Sequence, residues 1–118
     1  MTLPVVNLTS GKVSWTPPTQ GTDNQPLSGG DVVTGYVIGL RSLTAVGSVA
    51  GTYPIQSPPT AANAVSEALS AVNASLKPDN YAVSAQALSA NGPSDWATEF
   101  QFQGVLPVPL APTAVSVA

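Results

Sequence analysis

LKPDNYAVSAQALSANGPSDW, residues 76–96, decides how the rest of this chain is read. Tyr81, Val83, Ala85 and Ala87 alternate with polar or small residues, the period of a strand that buries one face. Asn91-Gly92 closes the stretch with two residues that tolerate positive φ, a turn signal. The Tyr81 ring belongs in the core, while its hydroxyl can reach backbone around the Leu76–Pro78 corner. That bond satisfies a buried polar group and pins a crossover between sheets.

Working outward, the same period recurs. Lys12 to Thr16 alternates, with Val13 and Trp15 on one face, and Pro17-Pro18 ends it. Thr19 to Gly30 is polar and Gly-rich and reads as a loop. Val33 to Ser42 is the next strand, with Tyr36, Ile38 and Leu40 opposite Val37, Gly39 and Arg41. A strand is expected from about Ser48 to Gln56, broken at Pro54 as an edge strand or a bulge would be. Residues 61–76 read two ways. Val65, Leu69, Val72 and Leu76 recur at helical spacing, whereas Ser70, Val72, Ala74 and Leu76 alternate as in a strand. A strand at about 70–76 preceded by a helical turn is favoured. Phe100 and Phe102 face in, with Gln101 and Gln103 out.

With 12 prolines and 10 glycines in 118 residues, long helices are disfavoured and many short strands are expected. The expectation is an all-β, seven-stranded antiparallel β-sandwich over residues 1–103. Trp15, Tyr36, Leu76, Tyr81, Val83 and Phe100 would form its core. Residues 104–118 would be a proline-containing linker and a strand-like, extended C-terminal tail.

Three stretches in order carry a resemblance. KVSWTPP (12–18) is similar to the second strand of a fibronectin type III domain, with its core tryptophan. TGYVIGLRS (34–42) is similar to the third strand with its tyrosine. Residues 76–96 resemble that family's Leu-x-Pro-x-x-Tyr corner, its sixth strand and the turn into its last. The resemblance covers about residues 4–103 and implies a sandwich of the fibronectin/immunoglobulin-like kind. The loop at 89–95, SANGPSD, stands where some members carry Arg-Gly-Asp, which is absent here, so integrin binding is not implied.

Composition excludes several classes of function. Charged residues make up 8% of the chain, against about 25% in ordinary domains. Lys12, Arg41 and Lys77 are too few for the phosphate contacts of nucleic-acid binding, and anionic lipid is an equally poor partner. A surface so poor in charge suits a protein covered by neighbours. With no cysteine and no histidine, thiolate chemistry, disulfides and the commonest base and metal ligand are missing. Asp23, Asp31, Asp79 and Asp95 sit beside turn residues and read as turn formers. Glu67 and Glu99 suggest no paired-carboxylate site. No enzyme activity, cofactor, metal or small-molecule substrate is expected. Asn7-Leu8-Thr9 and Asn73-Ala74-Ser75 fit the glycosylation pattern but read as chance matches, because the N-terminus resembles no secretory signal. Trp96 and Tyr53 are candidate interaction aromatics, for sugar stacking or a protein partner.

These features, with the resemblance, point to a structural module of a bacteriophage virion, such as a capsid-decoration or tail protein. The alternative is a spacer or weak carbohydrate-binding module cut from a secreted bacterial enzyme or adhesin, which would be extracellular. The C-terminal LAPTAVSVA (110–118) reads like the opening strand of a β domain and aligns loosely with the chain's own Pro4–Ser10. Pro112, Val115 and Val117 are therefore candidate contacts to another subunit, by strand addition to an open sheet edge, the alternatives being a disordered tail or the stub of a second domain.

Overall fold

A computed structural model describes residues 2–114, 116 and 117, and the expectation for Val115 lies outside them. The chain is all-β. Its strands are β1 (Val5–Asn7), β2 (Lys12–Ser14), β3 (Val33–Ser42), β4 (Ile55–Gln56), β5 (Ser66–Ala68), β6 (Asp79–Ser89) and β7 (Phe100–Val105). One helical turn, α1 (Leu69–Val72), follows β5. Five strands form one sheet in the order β1-β7-β6-β3-β4, and β2 and β5 form a second.

The long antiparallel ladder of β3 and β6 is the centre. It runs from Val33 opposite Ser89 to Ser42 opposite Tyr81, with an irregularity between Val33 and Gly35. Ile38 and Leu40 on β3 are fully buried, and Tyr81 and Val83 on β6 and Phe102 on β7 join them. Leu69 and Val72 of α1, Leu76 and Leu8 complete the core, with Val13 and Trp15 packed against it from β2 and the residue after it. Tyr81 donates its hydroxyl to the Lys77 carbonyl, so the corner before β6 is tied to the core it enters.

Several expectations are corrected. Phe100 is 55% exposed; Phe102, on the same face of β7, is the buried phenylalanine at 2%. Phe100 lies at the start of β7, beside a hollow that separates it from β2. Trp15 is half-buried, its ring tilted against Tyr36 at a centroid separation of 5.1 Å. The sheets are not wholly antiparallel, because β1 runs parallel to β7 with Val5 opposite Gln103. Gly104 makes that fit possible: a Cβ there would lie 2.7 Å from a Leu8 methyl. β7 runs on to Val105, two residues past the expected domain boundary.

Only Ile55–Gln56 is strand in the 48–56 region. Gly47 and Gly51 take positive φ, and turn bonds from Ser48 N–H to Ala45 and from Thr52 N–H to Val49 replace ladder bonds. The order at 61–76 is reversed. The strand comes first, at Ser66–Ala68 against β2, and the helical turn follows and buries Leu69 and Val72.

Three substitutions check this core. Phe102→Ala should cost about 3–5 kcal/mol and Phe100→Ala less than about 1 kcal/mol, read as urea midpoints at constant slope. Equal losses would contradict the placement. Tyr81→Phe leaves the Lys77 carbonyl unpaired and should cost about 1–3 kcal/mol.

Candidate functional site

The outer face of β3 carries Gly39 and Arg41, both buried. Arg41 reaches Glu99, just before β7, through two parallel bonds: Nε to Oε2 at 2.6 Å and Nη2 to Oε1 at 2.8 Å. Its Nη1 donates to Ser48 Oγ at 2.9 Å. Tyr53 donates its hydroxyl to the same Glu99 Oε2 at 2.8 Å. The Arg41 and Glu99 side chains are only 10% and 12% exposed. Bidentate geometry away from bulk water makes this more than a surface pair. The Arg41 hydrogen bonds hold the Glu99 carboxyl below its ordinary value, outweighing desolvation, and the Tyr53 bond adds to them. Burial, and then Glu99, push the Tyr53 hydroxyl up.

The two candidate aromatics come together here. The Tyr53 and Trp96 rings lie 4.7 Å apart, tilted by 56°. Both rest on Gly39, where a Cβ would lie 2.6 Å from Tyr53 and 3.0 Å from Trp96. Tyr53 is buried, so it offers no free face for stacking, and Trp96 is half-buried over it. The cluster clamps the 43–57 loop to the sheet. Arg41 and Glu99 are distant in sequence, and only the outward parity of Arg41 hinted that it needed a partner.

The remaining acids shape backbone. Asp23 accepts from Gln25 N–H at 3.0 Å and Asp31 from Ser28 N–H at 2.6 Å. Asp79 accepts from the Ser42 and Thr44 hydroxyls at 2.5 and 2.9 Å, and these bonds, Ser42 first, lower its pKa. Asp23 and Asp31 border a cleft of about 380 Å³ between the 18–33 loop and the 89–94 turn. Among the described residues no three His, Cys, Asp or Glu side chains gather as metal ligands would. Both glycosylation-like stretches are Asx turns, with Asn7 Oδ1 accepting from Thr9 N–H at 2.9 Å and Asn73 Oδ1 from Ser75 N–H at 2.7 Å.

Beyond β7 the character changes. Val108, Leu110 and Val117 are 81%, 95% and 97% exposed, and Pro112 is exposed as well. Gly104 to Ala118 contains no charged residue. The radius of gyration is 18.2 Å, against about 13.5 Å for a compact chain of this length. The long axis is 76 Å beside cross dimensions of 30 and 25 Å, so the tail stands clear of the domain. An uncharged segment with this much apolar surface in water is suited to burial against another surface.

No protein-family model matches the chain, nor does any curated protein or solved structure.

The cluster sets an expected acid response. Glu99 and Asp79 have lowered folded pKa values, so they stabilise the fold above their unfolded values. That stabilisation is lost as pH falls through the folded values, below the ordinary 4.5 of Glu99. Thermal unfolding of Glu99→Gln should begin at a lower melting temperature near neutrality and fall less steeply under acid than the wild type. Parallel curves would contradict the role given to Glu99.

Proposed function

We propose that the chain is a fibronectin type III-like β-sandwich that performs no chemistry and acts through protein–protein contacts. It serves as a structural component of a bacteriophage virion, a capsid-decoration or tail protein. Its partners are other particle subunits or copies of itself, engaged through the C-terminal segment, and it works without cofactor, nucleic acid or membrane.

One observation carries this reading: the uncharged C-terminal segment holds Val108, Leu110 and Val117 almost fully exposed, clear of the domain. Bonds at Asp23, Asp31, Asp79 and Glu99 also engage those carboxylates in turns, loops and the Arg41 clamp. The sandwich assignment draws support from side chains of both sheets meeting in one core and from the Tyr81–Lys77 corner. The alternative of an extracellular carbohydrate-binding spacer has weaker support, because Tyr53 is covered and Trp96 is its cover.

Mass spectrometry of purified virus particles from the source of this sequence tests the reading. Peptides of this chain should be recovered at a fixed ratio to the major capsid or tail subunit. Their absence from particles, with the chain found in the culture medium, would overturn it.

A further inference from the structure

The second sheet has a free edge beside a groove. Along β2 and the residues flanking it, the odd positions bond to the β5 side: Trp15 N–H donates to Val65, and Leu69 N–H donates to Gly11. The antiparallel register, with Ser14 opposite Ser66, then turns the N–H and C=O groups of Lys12 and Ser14 away from β5. No described strand pairs on that side. The chain's own first strand does not fill it, since β1 lies along β7, with Gln103 N–H donating to Pro4.

The same side is hollow. One cavity of about 220 Å³ lies between β2 and β7, lined by Val13, Leu69, Val83, Phe100 and Phe102. A second of about 220 Å³ continues past Trp15 toward Tyr36, Ala85 and Ala87. Phe100 is left more than half exposed at the mouth, and Trp15 Nε1, shielded from solvent, has no hydrogen-bond partner. A strand edge lacking its neighbour, two hollows along it lined mainly by apolar side chains, with Lys12 in one lining and Asp95 in the other, and an unsatisfied donor together outline a missing strand.

We infer that this seam receives the C-terminal segment of a second copy of the chain, which adds as a strand to β2. The inference rests on the proposed reading of that segment as the contact-making part. The segment suits the groove chemically. Val115 and Val117 are two residues apart in sequence, about 6.7 Å along a strand, and so are Val13 and Trp15 on β2. Docking buries no charged side chain of the donor, because Gly104 to Ala118 has none. The order Leu106-Pro107-Val108-Pro109-Leu110-Ala111-Pro112 decides between one chain and two. Each proline fixes its own φ near −65° and pushes the residue before it to extended backbone. Residues 106–112 therefore resist the reversal needed to reach their own seam; the chain bends beyond them, at Ala114, whose φ is 55°. Extended, residues 106–111 span up to about 20 Å, enough to carry Pro112 and the residues after it to a neighbour.

The test mixes two full-length variants in sedimentation velocity. Val115→Asp with Val117→Asp spoils the donor, and Phe100→Asp spoils the acceptor. The wild type should associate as its concentration rises, and each variant alone should self-associate at least about tenfold more weakly. An equimolar mixture should form a one-to-one dimer, the intact tail of one variant seated in the intact seam of the other. Thermal melts at low concentration check folding. Ser14→Pro, which removes an edge N–H, serves as the acceptor variant if Phe100→Asp does not fold. A wild type that stays monomeric, variants that associate as it does, or a mixture that stays monomeric would each overturn the inference. A monomer whose melting temperature falls with the tail substitutions would also overturn it, because the tail would then sit in its own seam. A monomeric chain that is nevertheless recovered in particles overturns this inference and leaves the virion reading standing. Association without recovery in particles does the reverse.

Discussion

The ladder between β3 and β6 is the constraint on which the rest of the structure depends. Its inner face supplies Tyr36, Ile38, Leu40, Tyr81 and Val83 to the core, and its outer face carries Gly39 and Arg41. Everything else is attached to one face or one end of it. The Tyr81 hydroxyl holds the corner through which the chain enters β6, so the ladder and the crossover are fixed by one side chain. Ser42 and Asp79 close the same end with a charged acceptor that takes two hydroxyl donors and the Asn80 N–H. On the outer face, Gly39 leaves room for Tyr53 and Trp96, and Arg41 holds Glu99. A sheet with both faces covered at its centre rests on little charge, which accords with a chain carrying three basic and six acidic residues.

Alternation made the ladder legible. β3 runs over the residues whose period predicts it, and the Tyr81 hydroxyl bonds back to Lys77 at the corner that the resemblance of residues 76–96 implies. Parity gives a face but not a depth, which is why Phe100 and Phe102 could not be told apart. Both point the same way, but one lies under the closed part of the core and the other at its open end. Periodicity also failed at 61–76, where helical and strand spacing overlap and the pairing with β2 decides the outcome. The parallel pairing of β1 with β7 depends on a distant partner and left no local mark beyond Gly104. The Arg41–Glu99 pair leaves no local mark for the same reason, and neither does the contact between the two candidate aromatics, Tyr53 and Trp96.

Edges link the fold to the function proposed for it. β1 and β4 end the large sheet, and β4 is two residues long beside Pro54, the kind of short, proline-flanked edge that resists pairing. The free side of β2 is short as well, three residues with Lys12 among them, and differs from β4 in what lies beside it. It faces hollows instead, and the same chain carries an uncharged, β-prone segment whose Val108, Leu110 and Val117 are exposed. Among the open edges of the two sheets, the free side of β2 borders hollows, and a spare strand added there would build an assembly by repeating a single contact.

Amide hydrogen exchange followed residue by residue tests that central claim most directly. In dilute solution the Lys12 and Ser14 amides should exchange quickly, while Val13 and Trp15, bonded to β5, exchange slowly. Raising the protein concentration should slow Lys12 and Ser14 and leave Val13 and Trp15 unchanged. Protection of all four amides in dilute solution, or exchange at Lys12 and Ser14 that ignores concentration, would contradict an edge that waits for a neighbour's strand.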